Sequence, residues 1–382
     1  MPGWELIGKE EQEAALSLFE PSPQSYFFTN KNKVREFEKA FAKSLCVPDA
    51  ASVCNGTAAL KVALKTLGVG PGDEVITQAH TFVATVEAIV DCGATPVIAE
   101  IDDSLNMDPD DLRNKLTRRT KVILPVHMLG VACKMDSILS FALSAGVKVV
   151  EDVSQACHGT YRGWRLGTMG DLGTFSFSYS KILTTGEGGM VIARDPPLLQ
   201  RARSYADHGH DFDPTVASRG QDTHACPGFN YRMGAFQAAV GLAQLQKLPD
   251  SIHVHRAHYH KLYTLLAELR FGTKWLEFRH LPDPTGHIGD AVCFFLETEQ
   301  QAQKVARRLF EKDKIMLKNL PDALNWHSAE HWHHLLGMQA MNLKRSGKLL
   351  RRAIALQVCY KWTDADIERV AHCVHDAIKE SV

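Results

Sequence analysis

The 382-residue chain has no long unbroken basic run, no apolar stretch near bilayer-spanning length, no C-x-x-C pair, no internal repeat and no low-complexity tract. Each absence removes a class of function. With 43 Lys and Arg against 44 Asp and Glu, the formal net charge is -1, so no electrostatic footprint for a nucleic-acid backbone exists. The start, Met1-Pro2-Gly3-Trp4-Glu5, lacks the basic and apolar regions of a secretory signal, and no segment reads as a membrane helix. A cytoplasmic chain is the expectation. Nine cysteines without paired spacing fit free thiols in a reducing compartment better than a disulfide framework. Histidine is abundant at 18, clustered at His253, His255, His258 and His260 and again at His327, His331, His333 and His334. Neither cluster has the Cys or carboxylate spacing of a zinc site, so no metal is expected.

What is present is a chain with 45% hydrophobic residues, enough for a large core. From residue 51, short β-rich runs alternate with helical ones: "ASVCN", then "TAALKVALKTLG" with Leu60, Ala63, Leu64 and Leu67 on one stripe, then "DEVITQA", "TFVATVEAIVDCG" and "TPVIAEI". The alternation continues through "TKVILPVHM", "MDSILSFALSAG" and "VKVVEDV". Such alternation predicts an α/β fold with a mostly parallel sheet covered on both faces. "LGTFSFSY" and "GGMVIAR" read as two further strands, "RMGAFQAAVGLAQLQKL" as a helix ending before Pro249, and residues 209–228 as a polar loop too long for a simple connector. The division expected is a large domain over 26–250 and a smaller C-terminal α+β domain over 251–382, joined by residues 1–25.

Ligands of such a sheet gather at the carboxyl ends of its strands, and three features fall there. In "NGTAAL", Gly56 permits close backbone approach and the amides of Thr57 and Ala58 open a helix, which suits a phosphate; a plain Asn-Gly turn reads the same way. In "VVEDVSQACHG", a buried strand delivers Asp152, a costly place for a carboxylate without a cationic partner; the adjacent Glu151 is an alternative acid. In "SFSYSKILTTGEGG", Lys181 stands between a serine-rich strand and a glycine-rich hairpin. A P-loop would need Lys followed by Ser or Thr after the glycines, and Met190 stands there instead. An anion cradle, an acid and an amine together are what pyridoxal 5'-phosphate requires: a phosphate site, a partner for the pyridine nitrogen, and a lysine for the Schiff base. Burial would lower the lysine's pKa in the direction that work needs.

The stretches "NGTAALKVAL", "PGDEVITQAHTFVAT", "EDVSQACHG", "GDLGTFSFSYSKILTTGEGG" and "GFNYRMGAFQAAVGLAQLQKL" closely resemble the DegT/DnrJ/StrS-type sugar aminotransferases, of the fold type I (aspartate aminotransferase-like) superfamily. The resemblance covers residues 25–250 motif by motif and the remainder more loosely. It implies Lys181 as the Schiff-base lysine, Asp152 as partner of the ring nitrogen, Gln155 as contact to the phenolic oxygen, and Phe82 as the ring stacking on the pyridine face. It implies Gly56, Thr57 and Ser176 as phosphate ligands, and Asn230, or else Arg232, as a phosphate ligand given to the neighbouring subunit, hence a homodimer. Asn55 replaces the commoner Ser of that first motif. The reaction implied moves an amino group from an amino acid such as L-glutamate to an oxo-sugar, with Arg219 or Arg203 for the donor carboxylate. "MPGWELIG", "ADHGHDF", "RGQDTH" and "LNWHSAEHWHHL" look most like the subgroup that aminates 8-oxo-3,8-dideoxy-manno-octulosonate in lipopolysaccharide assembly; nucleotide-linked keto-sugars are the alternative acceptors. A dehydratase on this scaffold replaces the lysine by histidine, and a non-catalytic regulator would want an appended DNA-binding segment, for which no room is seen before residue 25. Trp326, Trp332 and the neighbouring histidines read equally as a sugar-facing wall or as packing.

Overall fold

The computed structural model describes residues 3–19, 31–211, 223, 226–269, 276–318 and 323–381. Its strands are β1 (Ala50–Val53), β2 (Glu74–Gln78), β3 (Thr95–Ala99), β4 (Thr120–Ile123), β5 (Lys148–Asp152), β6 (Thr160–Tyr161), β7 (Trp164–Arg165), β8 (Leu172–Ser176), β9 (Gly189–Ala193), β10 (Glu277–Phe278), β11 (Ala291–Phe295) and β12 (Ala353–Gln357). Seven of them form one sheet in the order β1-β9-β8-β5-β4-β2-β3. Only β9 runs against its neighbours in it; β8, β5, β4, β2 and β3 pair in parallel. The β-rich runs are buried almost throughout, as a sheet covered on both faces demands.

Strand alternation divides the side chains between two cores. On one face Phe175 and Phe177 meet Phe37 and Phe41 of the helix Lys31–Leu45, with ring centroids 5.0 Å apart for Phe41 and Phe175 and 5.3 Å for Phe41 and Phe177. On the other face Val150, Leu172 and Val191 pack with Ala59, Val62 and Ala63 of the helix Gly56–Thr66. The cation of Arg203 is held on the sheet's edge by Glu38 (2.8 Å), Asp49 (3.2 Å) and the Ala50 carbonyl (2.6 Å).

Of the remaining strands, β10, β11 and β12 form an antiparallel sheet in that order, and β6 and β7 pair as a separate antiparallel hairpin. Neither β12 nor the hairpin of β6 and β7 is anticipated by the sequence reading. One helix differs from expectation outright: it does not stop before Pro249 but runs unbroken from Ala235 to Leu269 with Pro249 inside, so residue 250 lies within it. Proline removes one donor and crowds one carbonyl, a local cost that the burial of Leu248, Ile252, Tyr259 and Leu262 along the same helix offsets. The N-terminal helix Lys9–Leu16 lies on this long helix, where the buried Glu11 carboxylate accepts from Lys247 Nζ and Gln244 Nε2, both at 2.8 Å. No helix among the described residues is long and apolar enough to cross a membrane.

Phe41 is fully buried and joins the first long helix to the strand that leads to Lys181. Phe41→Ala is expected to cost about 3–5 kcal/mol, read as a lower denaturant midpoint. A midpoint within experimental error of the parent would show that this face of the sheet does not depend on the aromatic cluster.

Candidate active site

Asp152 and Ser176 are the last residues of β5 and β8, and Gly56 and Phe82 follow closely on the ends of β1 and β2. All four strands point the same way in the sheet, so these residues share its carboxyl edge. The sequence motifs converge because parallel strands end together.

Two close backbone approaches lie at this edge, at Gly56 and at Gly189. A Cβ added to Gly56 would lie 2.6 Å from Ser176 Cβ, and one added to Gly189 would lie 2.4 Å from the Asn55 carbonyl oxygen. Both glycines are therefore required by contact, and this explains the end of the glycine-rich hairpin: Gly189 pairs with Val53 on one side and Ser176 on the other. Asn55 caps the helix through Oδ1, which accepts the Ala58 N–H at 2.8 Å. This alters one expectation, since the Ala58 amide is already engaged and not open to a phosphate. Thr57 is exposed at the same helix start, and Ser176 Oγ makes a long 3.4 Å contact with the Ser178 amide. Gly56, Thr57 and Ser176 thus form a small cradle of amides and hydroxyls at a helix N-terminus, the environment an anionic phosphate needs.

Asp152 is buried, yet no cation pairs with it among the described residues. Its Oδ2 accepts from Thr85 Oγ1 at 3.2 Å and its Oδ1 from the Ser154 amide at 3.0 Å. Thr85 in turn lies 2.7 Å from Thr81 Oγ1. The alternative acid, Glu151, points to the opposite face of the strand. There it accepts from the amides of Gly167, Met169 and Gly170 at 2.7–2.9 Å and meets His127 Nε2 at 3.2 Å. Its lone pairs are spent on holding a loop, which removes it as the working acid.

Lys181 lines a cleft of about 290 Å³ together with His80, Gln155, Asp290, Lys318 and His327. Its Nζ has no hydrogen bond or ion pair among the described residues. Burial pulls its pKa below the ordinary lysine value; the Asp152 charge opposes that shift and the Lys318 charge adds to it. Gln155 spends Oε1 on the Leu129 amide, at 3.1 Å, and its Nε2 group has no partner among the described residues. Phe82 is 45% exposed beside the His327 ring, at 5.3 Å between centroids. An aromatic this exposed, beside the cleft-lining His327, suits stacking on a flat ring better than a core role. His80 is kept neutral: burial pushes its pKa down to about 3 although Nδ1 contacts the Leu105 carbonyl at 2.9 Å.

Other candidates fall elsewhere. Arg203 is consumed by Glu38, Asp49 and Ala50, so it is not a carboxylate receptor, and Arg219 lies outside the described residues, as does most of the 209–228 loop. Asn230 is exposed and Arg232 is paired with Asp207 at 2.5 Å; neither lines the cleft of its own chain. Trp332 is core, donating to the Asn325 carbonyl at 2.8 Å, whereas Trp326 is exposed. Lys318, Asp290 and Thr85 are in the site unannounced. Thr85 stood in the motif "HTFVAT" with Thr81 one helical turn away; Lys318 and Asp290 carry no sequence signal.

The profile of the DegT/DnrJ/EryC1/StrS aminotransferase family matches residues 8–375. The chain belongs to this family. It is similar to the spore coat polysaccharide biosynthesis protein SpsC of Bacillus subtilis (34% identity, 98% of this chain and 96% of that one). It is also similar to a GDP-perosamine synthase of Caulobacter vibrioides (44% identity over 223 residues), a match that spans 57% of each chain. Among solved structures it resembles an aminotransferase from Psychrobacter cryohalolentis, with TM-score 0.89 and 27% identity over 99% of this chain and 98% of that one. The fold is that of fold type I aminotransferases, and the chain is a pyridoxal phosphate-dependent sugar aminotransferase. The site fits that cofactor on its own terms: a cradle that any Cβ at Gly56 would fill and, among the described residues, a buried carboxylate without a cation and a desolvated amine without a partner.

An amine with a depressed pKa holds more of its neutral, nucleophilic form at a given pH. In the cofactor-free protein, an amine-reactive reagent is expected to label Lys181 fastest of all lysines at pH 8, with a rate that rises with pH through a midpoint below the ordinary ~10.4. A midpoint at or above that value, read by peptide mass spectrometry, would contradict the desolvated state of this amine.

Proposed function

We propose that the chain transfers the amino group of L-glutamate to an oxo-sugar, with Lys181 as the residue that bonds the cofactor and moves the proton. The observation that carries this reading is the Lys181 amine, desolvated and without a partner among the described residues, in a cleft that it shares with Gln155. Asp152 would keep the pyridine nitrogen protonated, Gln155 Nε2 would meet the phenolic oxygen, Phe82 would cover the ring face, and Gly56, Thr57 and Ser176 would hold the phosphate. The bound cofactor supplies an electron sink for the substrate carbon whose C–H bond breaks. The chain's part is to orient that bond, exclude water, and carry the proton on Lys181 Nζ between the donor carbon and the cofactor. The lysine that the dehydratases lack is present, which favours transamination over dehydration.

Two acceptors have specific support. The stretches at the N-terminus, the polar loop and residues 324–335 favour 8-oxo-3,8-dideoxy-manno-octulosonate. The similarity to GDP-perosamine synthase favours a nucleotide-linked keto-sugar. The cofactor-loaded protein is expected to lose its visible cofactor absorption with L-glutamate and regain it with the true acceptor, so a panel of both sugar classes identifies it. No loss with any amino acid while the cofactor is demonstrably bound, or turnover at the parent rate by Lys181→Ala, defeats the proposal.

Asn230 is read as a ligand for the phosphate bound by a second copy, which makes a homodimer the active unit. Its exposure beside the half-exposed Phe229 supports this. Lys181→Ala and Asn230→Ala proteins, each nearly inactive, should recover about a quarter of parent activity when mixed and reassociated. Random assortment makes half the dimers mixed, each with one intact site. No recovery would place Asn230 in its own chain's site or outside catalysis.

A further inference from the structure

An amino-acid donor brings an α-carboxylate into the cleft with its amine, and a carboxylate taken out of water needs a charge-assisted partner. Neither arginine considered from sequence supplies one, since Arg203 is locked on Glu38 and Asp49 and Arg219 lies outside the described residues. Apart from Lys181, the one lysine or arginine among the described residues lining the cleft is Lys318. His80 is neutral there, its Nδ1 in contact with a carbonyl.

Lys318 is built in rather than draped over the surface. The segment that carries it is fastened to β12: Gln357 N–H donates to the Met316 carbonyl at 3.2 Å and Lys318 N–H to the Ala355 carbonyl at 2.8 Å. Its Nζ contacts Asp290 Oδ1 at 2.5 Å, with only 17% and 5% of the two side chains exposed. Asp290 is fixed through its own carbonyl, which accepts the Val358 N–H at 3.1 Å. An ammonium has three donors and Asp290 takes one. Both residues line the same cleft as Lys181, and both charges act on its amine.

We propose that Lys318, held by Asp290, is the anchor for the α-carboxylate of the amino-acid donor. The pair sits on the sheet opposite Lys181's own, so the donor is gripped by its acid from one sheet while its amine meets the cofactor at the other. Two charges of opposite sign, already paired, explain how the cation is kept in the cleft without leaving an isolated charge buried.

The inference rests on an amino acid being the donor, and the test separates the two claims. Cofactor-loaded parent, Lys318→Met and Lys318→Arg proteins are titrated with L-glutamate, with n-propylamine, which has no carboxylate, and, after amination, with the acceptor sugar. Lys318→Met should raise the half-saturating L-glutamate concentration by about 10- to 100-fold, leave n-propylamine unchanged, and be largely restored by Lys318→Arg. An unchanged L-glutamate response overturns the anchor. So does equal weakening of n-propylamine, which assigns Lys318 to tuning Lys181, or weakening confined to the acceptor half-reaction, which assigns it to an acid group of the sugar. A parent protein that responds to no amino acid defeats the donor reading and the anchor with it. If Lys318→Met does not fold, Lys318→Gln, which keeps a donor toward Asp290, carries the same comparison.

Discussion

The structure turns on a desolvated amine, that of Lys181, that no group among the described residues satisfies. A lysine folded against Asp152 as an ordinary ion pair would be a stable, inert feature of the core, its proton held tightly by the carboxylate. Here Asp152 is occupied by the Thr85 hydroxyl and the Ser154 amide, and Lys181 is left facing the cleft. The protein keeps an acid and an amine near each other without an ion pair between them, the separation that the proposed cationic ring would need. The cost is spread over the surrounding packing, where Phe175 and Phe177 anchor the strand that leads into the Lys181 turn.

The same economy governs the phosphate end. Gly56 and Gly189 are required because the backbone of one strand end passes within contact of the next. A side chain at either would push apart the helix start and the Ser176 hydroxyl that define the cradle. Asn55 then does two things that a serine at that position would do with less reach. It caps the helix by taking the Ala58 amide, and it leaves the amides nearer the helix start available to the proposed phosphate. Affinity for an anion and rigidity of the helix start therefore come from neighbouring residues of one turn.

The two sheets contribute different things. The parallel sheet positions the amine, the acid and the cradle through strand ends that share one edge. The antiparallel sheet brings Asp290 and Lys318 from residues distant in sequence. Arg279, just after β10, adds to this junction: buried, it donates to the carbonyls of Ser104 (2.5 Å) and Met128 (2.8 Å). A guanidinium satisfied by backbone carbonyls fixes direction without the steep charge coupling of a salt bridge.

The alternation of strand and helix and the mostly parallel sheet were legible in the chain itself, and Lys181, Asp152 or its neighbour Glu151, Gly56 and Gln155 stood out there as candidates, because each depends on local pattern: hydrophobic period, a strand end, a glycine before a helix. Even Thr85 lay in a quoted motif, one turn beyond Thr81. Which of two adjacent acids is spent on a loop was decided only by the alternation of β5 in three dimensions, which gives Glu151 to three loop amides and leaves Asp152 to the Thr85 hydroxyl and the Ser154 amide. The fate of Arg203, the passage of the long helix through Pro249 and the presence of Lys318 and Asp290 were likewise decided by tertiary contacts. Such contacts join residues tens to hundreds of positions apart, and no local period or spacing encodes them.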